Sequence, residues 1–300
     1  MDILTLSGVT KAFGSRKVID GLSFNVPEHC IYGFIGQNGA GKTTTMKMIL
    51  GLLRADGGAI TVNGEKVRYG QNKTNRCIGY LPDVPEFYGY MTPSEYLSLC
   101  GKITGMPETL IRSRSGELLE LVGLGGKEKR IQGFSRGMKQ RLGIAQALLS
   151  QPKLLICDEP TSALDPVGRK EILDILRSVK EHTTVVFSTH ILSDVERICD
   201  EIALLHDGRI AFSGTLEDIR QMRSGDGFEV DFYRPEDADA FSMRFEGSER
   251  SSANRLYYPG KSERDMAAAM GSLAASGLLA QRVEMREATL EKLFMEVIGK

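Results

Sequence analysis

An α/β fold with a mostly parallel sheet is predicted by three observations. Apolar strand-like runs alternate with helical stretches, one run opens directly into a glycine loop and a helix, and another ends in two adjacent carboxylates. The 300 residues, 41% hydrophobic and 26% charged, suffice for one large α/β domain and a smaller appendage. Net charge is −1 with acids and bases interleaved, which lacks the electrostatic footprint of a nucleic-acid binder. The run Lys127-Glu128-Lys129-Arg130 reads as a solvated loop. Cys30, Cys77, Cys100, Cys157 and Cys199 are odd in number and widely spaced, without a Cys-x-x-Cys pair. That pattern points to free thiols in a reducing cytoplasm rather than a disulfide framework or a zinc site. The start of the chain carries no basic n-region and no apolar run reaches the length of a membrane span, so the chain is expected neither to enter nor to cross a bilayer unaided.

Taken in order, Ile3 to Val9 and Leu22 to Val26 read as strands around a Gly14-Ser15 turn. Cys30 to Ile35 is a buried strand. Thr44 to Leu53 carries helical spacing at Met46, Ile49, Leu50 and Leu53 and is expected to end at a Gly57-Gly58 turn. Strands return at Ala59 to Val62 and Ile78 to Leu81, and from about 93 to 150 the pattern becomes a helical insertion. Strands at Leu154 to Cys157, Thr184 to Ser188, Ile202 to Leu205 and Arg209 to Phe212 then alternate with helices at Pro166 to Lys180 and Leu192 to Cys199. Composition shifts after Gln221. The expected domains are therefore 1–220 and 221–300, with Ser224-Gly225-Asp226-Gly227 as linker. The second domain reads as a small α+β module: strands at Phe228 to Phe232 and Leu279 to Glu284, strand-like pieces near Phe245 and Leu256, and helices at Arg264 to Ala275 and Ala288 to Val297.

Between Gly36 and Thr43 the chain reads Gly-Gln-Asn-Gly-Ala-Gly-Lys-Thr, a strand-to-helix phosphate cradle. Gly36, Gly39 and Gly41 leave room for the backbone to wrap a polyphosphate and aim N–H groups at its oxygens. Lys42 supplies a point charge for the β- and γ-phosphates, and Thr43 a hydroxyl for Mg²⁺. Gly260-Lys261-Ser262 is a decoy, because Arg255 stands where a first glycine is required. Downstream, Leu154-Leu155-Ile156-Cys157-Asp158-Glu159 is an apolar strand that delivers two acids to the carboxyl edge of the sheet. Asp158 is placed to hold Mg²⁺ with Thr43, and Glu159 to polarise an attacking water.

These motifs, in this order, resemble the ATP-binding subunits of ABC transporters over roughly residues 1–220. The resemblance implies a P-loop NTPase cassette: a mainly parallel sheet, an antiparallel β subdomain and a helical insertion. It implies ATP and Mg²⁺ as ligands, with Gly36, Asn38, Gly39, Ala40, Gly41, Lys42, Thr43 and Thr44 around the phosphates. Phe13 falls where the family stacks an aromatic ring on adenine. Phe134-Ser135-Arg136-Gly137-Met138-Lys139-Gln140-Arg141 matches the signature segment, in which Ser135 and Gly137 face the partner subunit's ATP. Ser162-Ala163-Leu164-Asp165 matches the dimer loop, with Asp165 linking the two sites, and His190 matches the switch histidine. An ATP-sandwich homodimer, a separate membrane permease and a peripheral position on the inner face of the cell membrane follow from the same resemblance. Two departures stand out. Asp83 follows Ile78-Gly79-Tyr80-Leu81-Pro82 where the family commonly has Gln for Mg²⁺ and water, and Arg136 replaces a signature glycine. Gly137 to Arg141 and the tail Thr289-Leu290-Glu291-Lys292-Leu293-Phe294 resemble exporter subunits with a separate membrane chain.

Two rival readings compete. Gly133-Phe134-Ser135-Arg136-Gly137 fits a hydrolase nucleophile elbow, with Asp158 or Asp165 and His190 in matching chain order. An elbow needs a strand immediately before the serine, yet Gly125 to Gln132 is polar and charged. The other rival is a cytosolic ABC protein acting as a mechanical or regulatory module without a membrane partner.

Overall fold

The computed structural model describes residues 1–71, 73–126, 129–221, 227–286, 290–291 and 294–295. The chain divides into two units, Met1–Thr215 and Leu216–Lys300.

In the first unit, β1 (Asp2–Phe13) and β2 (Arg16–Pro27) form an antiparallel hairpin. The fully buried β3 (Ile31–Gly36) runs into the glycine loop, and α1 (Lys42–Ile49) follows. β4 (Gly57–Val62) and β5 (Glu65–Lys66) complete an antiparallel sheet of order β2-β1-β4-β5. β6 (Ile78–Leu81) precedes three helices, α2 (Pro93–Ile103), α3 (Glu108–Leu121) and α4 (Arg136–Leu148). The chain then alternates: β7 (Leu154–Asp158), α5 (Pro166–Val179), β8 (Thr184–Thr189), α6 (Leu192–Ile198), β9 (Glu201–His206) and β10 (Arg209–Thr215). The main sheet has order β10-β9-β3-β8-β7-β6 and is parallel except for β10. β3, β7 and β8 are buried along their whole length, the continuous apolar pattern of strands covered on both faces. One core joins the two sheets through Leu4, Leu6, Ile19 and Phe24 on one side and Tyr32, Phe34, Ile156 and Val186 on the other.

Two local expectations are corrected. α1 starts at Lys42 and stops at Ile49, and Gly51 turns the chain at φ 66°. Gly57 and Gly58 lie inside β4 rather than in a turn, because this strand crosses the β1 backbone closely: a Cβ on Gly58, at φ 81°, would sit 2.4 Å from Gly8 O.

The second unit begins with α7 (Leu216–Gln221), followed by β11 (Gly227–Phe232), α8 (Pro235–Ser242), β12 (Glu249–Ser252), β13 (Arg255–Pro259), α9 (Glu263–Ser276) and β14 (Ala280–Met285). The antiparallel order β12-β13-β11-β14 is that of a ferredoxin-like βαββαβ module. Phe228, Val230, Phe232, Leu256 and Tyr258 pack with Ala238 and Phe241 of α8 and Ala269 and Leu273 of α9. Phe245 is not in a strand; its ring joins this core, stacked on Phe241 at 5.8 Å and edge-on to Tyr258 at 5.2 Å. Gly260 to Ser262 is not a phosphate loop, since Ser262 caps α9 by accepting from Asp265 N. Residues 224–226 of the expected linker, Lys127 and Glu128 of the charged run, most of the expected last helix and half of the exporter-like tail lie outside the described residues.

All five cysteines are free. Cys199 Sγ occupies the space that a Cβ on Gly33 would need, at 2.8 Å. Burial pushes the Cys30 thiol up to about 12 and the Cys157 and Cys199 thiols well above their ordinary value.

α4 lies against β6 so closely that a Cβ on Gly79 would approach Ala147 O to 2.2 Å and one on Gly143 would approach Leu81 Cδ1 to 2.5 Å. Gly79→Ala is therefore expected to lower unfolding free energy by about 1–3 kcal/mol, read as a fall in denaturant midpoint at unchanged m-value.

Candidate active site

β3 carries the chain to the carboxyl edge of the parallel sheet, and the glycine loop turns it into α1. Gly41 adopts φ 111°, and a Cβ there would meet Ile19 Cδ1 at 2.5 Å, so the loop lies directly on β2. Gly36 is pressed against β9, where a Cβ would meet Leu205 O at 2.8 Å. Only glycine satisfies both contacts. Lys42 is buried, and its Nζ donates to Gly36 O at 2.7 Å and Gln37 O at 3.2 Å. The ammonium also lies 3.1 Å from Glu159 Oε1, an ion pair lacking hydrogen-bond alignment, which leaves that buried oxygen without a hydrogen bond.

β7 and β8 pair so that Asp158 sits opposite Ser188. Ser188 Oγ donates to Asp158 Oδ1 at 2.5 Å and accepts from Glu159 N at 3.2 Å. Glu159 N is shared with Ser188 O at 3.1 Å, and the residue is held at φ 49°, a strained conformation for glutamate. That kink sends consecutive carboxylates in different directions. Glu159 Oε2 lies 2.9 Å from His190 Nδ1, so Lys42, Glu159 and His190 form one chain of contacts.

A cavity of about 230 Å³ beside the loop is lined by Asn38, Gly39, Lys42, Thr43, Asp83 and Glu159, with Gly41, Thr44 and Val18 completing the wall. Asp83 is anchored from α4: Gln140 Nε2 donates to Asp83 O at 2.6 Å, and Arg136 lies 3.3 Å from Asp83 Oδ1. Burial raises the Asp83 pKa, Arg136 opposes the shift, and the charges of Asp158 and Glu159 add to it. Ala40 N closes the loop onto Gln37 O at 3.1 Å.

Phe13 ends β1 with its ring half exposed, and Lys11 Nζ lies 5.3 Å from the ring centre. Ser135, Gly137 and Asp165 do not line the cavity. Ser135 caps α4, accepting from Met138 N at 3.3 Å, and Asp165 caps α5, accepting from Gly168 N at 3.1 Å. The Gly137 Cβ position lies 3.8 Å from Leu164, which brings the signature turn and the segment before α5 together. The hydrolase reading fails here. A short helical turn and extended Phe134, not a strand, precede Ser135, and His190 is engaged by Glu159.

Ser188 and Val18 escaped the sequence reading. Ser188 falls within an expected strand, but its position opposite Asp158 depends on parallel pairing between strands distant in sequence. Val18 enters only because the hairpin folds over the loop.

Among the described residues no group of three or more His, Cys, Asp or Glu is arranged to hold a metal ion. The donor set instead fits Mg²⁺, which takes one or two carboxylates and a hydroxyl from protein and further oxygens from phosphates and water. The polyphosphate fit rests on the buried Lys42 ammonium facing loop carbonyls and a glutamate, and on Gly39, whose Cβ position is open space at φ 84°.

Parallel sheet, glycine loop and acids at the carboxyl edge define a P-loop NTPase. The ABC transporter family matches residues 19–162. The uncharacterized ABC transporter ATP-binding protein YxlF of Bacillus subtilis (strain 168) is 37% identical over 99% of this chain and 99% of its own length. Nod factor export ATP-binding protein I of Ralstonia nicotianae (strain ATCC BAA-1114 / GMI1000) is 36% identical, covering 72% of this chain and 68% of its own. A solved ATP-binding subunit of an ABC transporter matches with TM-score 0.67 and 35% identity, covering 73% of this chain and 92% of that one. The chain belongs to the ABC transporter ATP-binding subunits.

Gly41→Ala is expected to weaken binding of a fluorescent ATP analogue by about fivefold to a hundredfold, because the loop must leave β2 to relieve strain of about 1–3 kcal/mol. Unchanged affinity in an equilibrium titration would contradict this account of the loop.

Proposed function

We propose that the chain hydrolyses ATP with Mg²⁺ and uses the cycle to drive a transporter, in the direction of export. The observation that carries the reading is the contact chain Lys42–Glu159–His190 at the mouth of the glycine loop, which unites a phosphate-binding cation, a general base and a group able to orient water. Bound Mg²⁺ would supply charge neutralisation at the β- and γ-phosphate oxygens. Thr43 and the buried Asp158 would hold it, and Asp83 lines the same cavity as Thr43. Lys42 leaves Glu159 for phosphate oxygens. Glu159, released from the ammonium, accepts a proton from water on its carboxylate while His190 fixes its orientation. Phe13 offers its exposed ring to the adenine.

Ser135 and Gly137 lie outside the cavity at the start of α4, where the helix dipole favours an anion. This supports an ATP sandwich in which each triphosphate lies between one subunit's glycine loop and its partner's signature turn, with Asp165 between the two sites. Among the described residues no helix is long and apolar enough to cross a membrane. In this reading a separate permease carries the cargo, and this chain sits against it at the inner face of the cell membrane. The exposed side chains of Val84, Tyr88 and Tyr90 support docking at the segment after β6. Export rests on the likeness to the Nod factor export protein and on the exporter-like stretch after Arg136.

Glu159→Gln should form a stable dimer with ATP and Mg²⁺ while turnover falls by about 10²-fold or more, measured by sedimentation and phosphate release. A variant that stays monomeric at saturating ATP removes the sandwich. Phe13→Ala should weaken ATP binding by about fivefold through lost stacking, with turnover at saturation retained.

A further inference from the structure

Asp83 and Arg136, the two departures from the family pattern, touch each other. α4 presents Arg136, Gln140, Gly143 and Ala147 along one face, the spacing of a helical ridge. β6 and the segment after it lie on that ridge. Ala147 O meets Gly79, Gly143 meets Leu81, and Gln140 Nε2 holds Asp83 O at 2.6 Å. Gln140 is fully buried, so the Asp83 backbone is fixed to α4. Its side chain is held differently. The contact to Arg136 is a single one of 3.3 Å, not a paired fork, and the two side chains are 47% and 43% exposed. A firm backbone anchor with a lightly held carboxylate gives a side chain that can exchange partners in place.

The electrostatics give the exchange a cause. Asp83 lines the same cavity as Lys42 and Thr43, and the charges of Asp158 and Glu159 act against its own. Lys42 is engaged by Glu159, and Asp158 by the neutral Ser188. Arg136 is the cation in direct contact with Asp83, and His190 favours the same carboxylate without a contact. A divalent cation arriving with nucleotide would offer Asp83 a stronger counter-charge and leave the guanidinium unpaired between Ser135 and Gly137, the residues facing the partner's nucleotide.

We propose that Arg136 is a positioning residue that holds the Asp83 carboxylate toward α4 in the empty subunit and competes with Mg²⁺ for it, so that loading one phosphate site frees a positive charge at the signature turn. The inference rests on the ATP–Mg²⁺ reading above.

The test is a Mg²⁺ titration of binding of a fluorescent ATP analogue, without turnover as readout, on wild type, Arg136→Gln, Arg136→Lys, Asp83→Asn and the Asp83→Asn/Arg136→Gln double variant. Removing the competitor in Arg136→Gln should tighten apparent Mg²⁺ affinity by about two- to fivefold, the scale of an exposed ion pair. Arg136→Lys should stay near wild type. In the double variant, Arg136→Gln should have no further effect on Asp83→Asn. An equal shift from Arg136→Gln with and without Asp83→Asn, or no shift in wild type background, overturns the competition while leaving ATP binding intact. Absence of nucleotide binding in wild type overturns the functional reading itself, and the two failures are distinct.

Discussion

A loop of eight residues lies against two sheets at once, and the rest of the first unit is arranged around that constraint. Gly36 presses on β9 of the parallel sheet, and Gly41 on β2 of the antiparallel one. No side chain fits at either contact, so the loop is a joint between sheets as much as a ligand cradle. Its backbone shape is therefore fixed by core packing before any phosphate arrives. This preorganisation costs conformational freedom on folding and offsets it with the shared core of Ile19, Phe24, Phe34 and Val186.

The acids reach the loop by a second device, strand pairing. β7 and β8 end level with each other, and the Ser188 hydroxyl ties Asp158 down while its carbonyl takes the Glu159 N–H. The kink at Glu159 then separates the jobs of two adjacent carboxylates. The α4 ridge adds a third level, carrying the segment after β6 as a rigid passenger. In this arrangement the glycine loop, the acids and the signature helix are three packed pieces meeting at Asp83.

The legible part of this architecture was the part written in local chemistry. The glycine loop, the apolar strand into Asp158 and Glu159, and the alternation of strands with helices announced a parallel α/β sheet. Ser135 and Asp165 each stand as a small polar residue before a helical run, and each caps one. What escaped was set by distant pairing. Ser188 meets Asp158 across neighbouring strands, Val18 reaches the cavity through hairpin placement, and the Gly57-Gly58 pair looked like a turn because glycine marks both turns and close crossings. Phe245 misled for a related reason: an aromatic between polar residues fits a strand, while the second unit uses it to fill a core beside Phe241 and Tyr258.

The burial of the thiols has a chemical consequence. A cysteine reacts with peroxides, alkylating agents and disulfides as its thiolate, and packing has moved Cys30, Cys157 and Cys199 far from the acidity that would supply one near neutrality. Cys157 sits one residue before Asp158 and Glu159, at the sheet edge, yet it is sealed within β7. Raised pKa values keep these thiols protonated near neutrality, so a gain in their reactivity would report opening of the sheet.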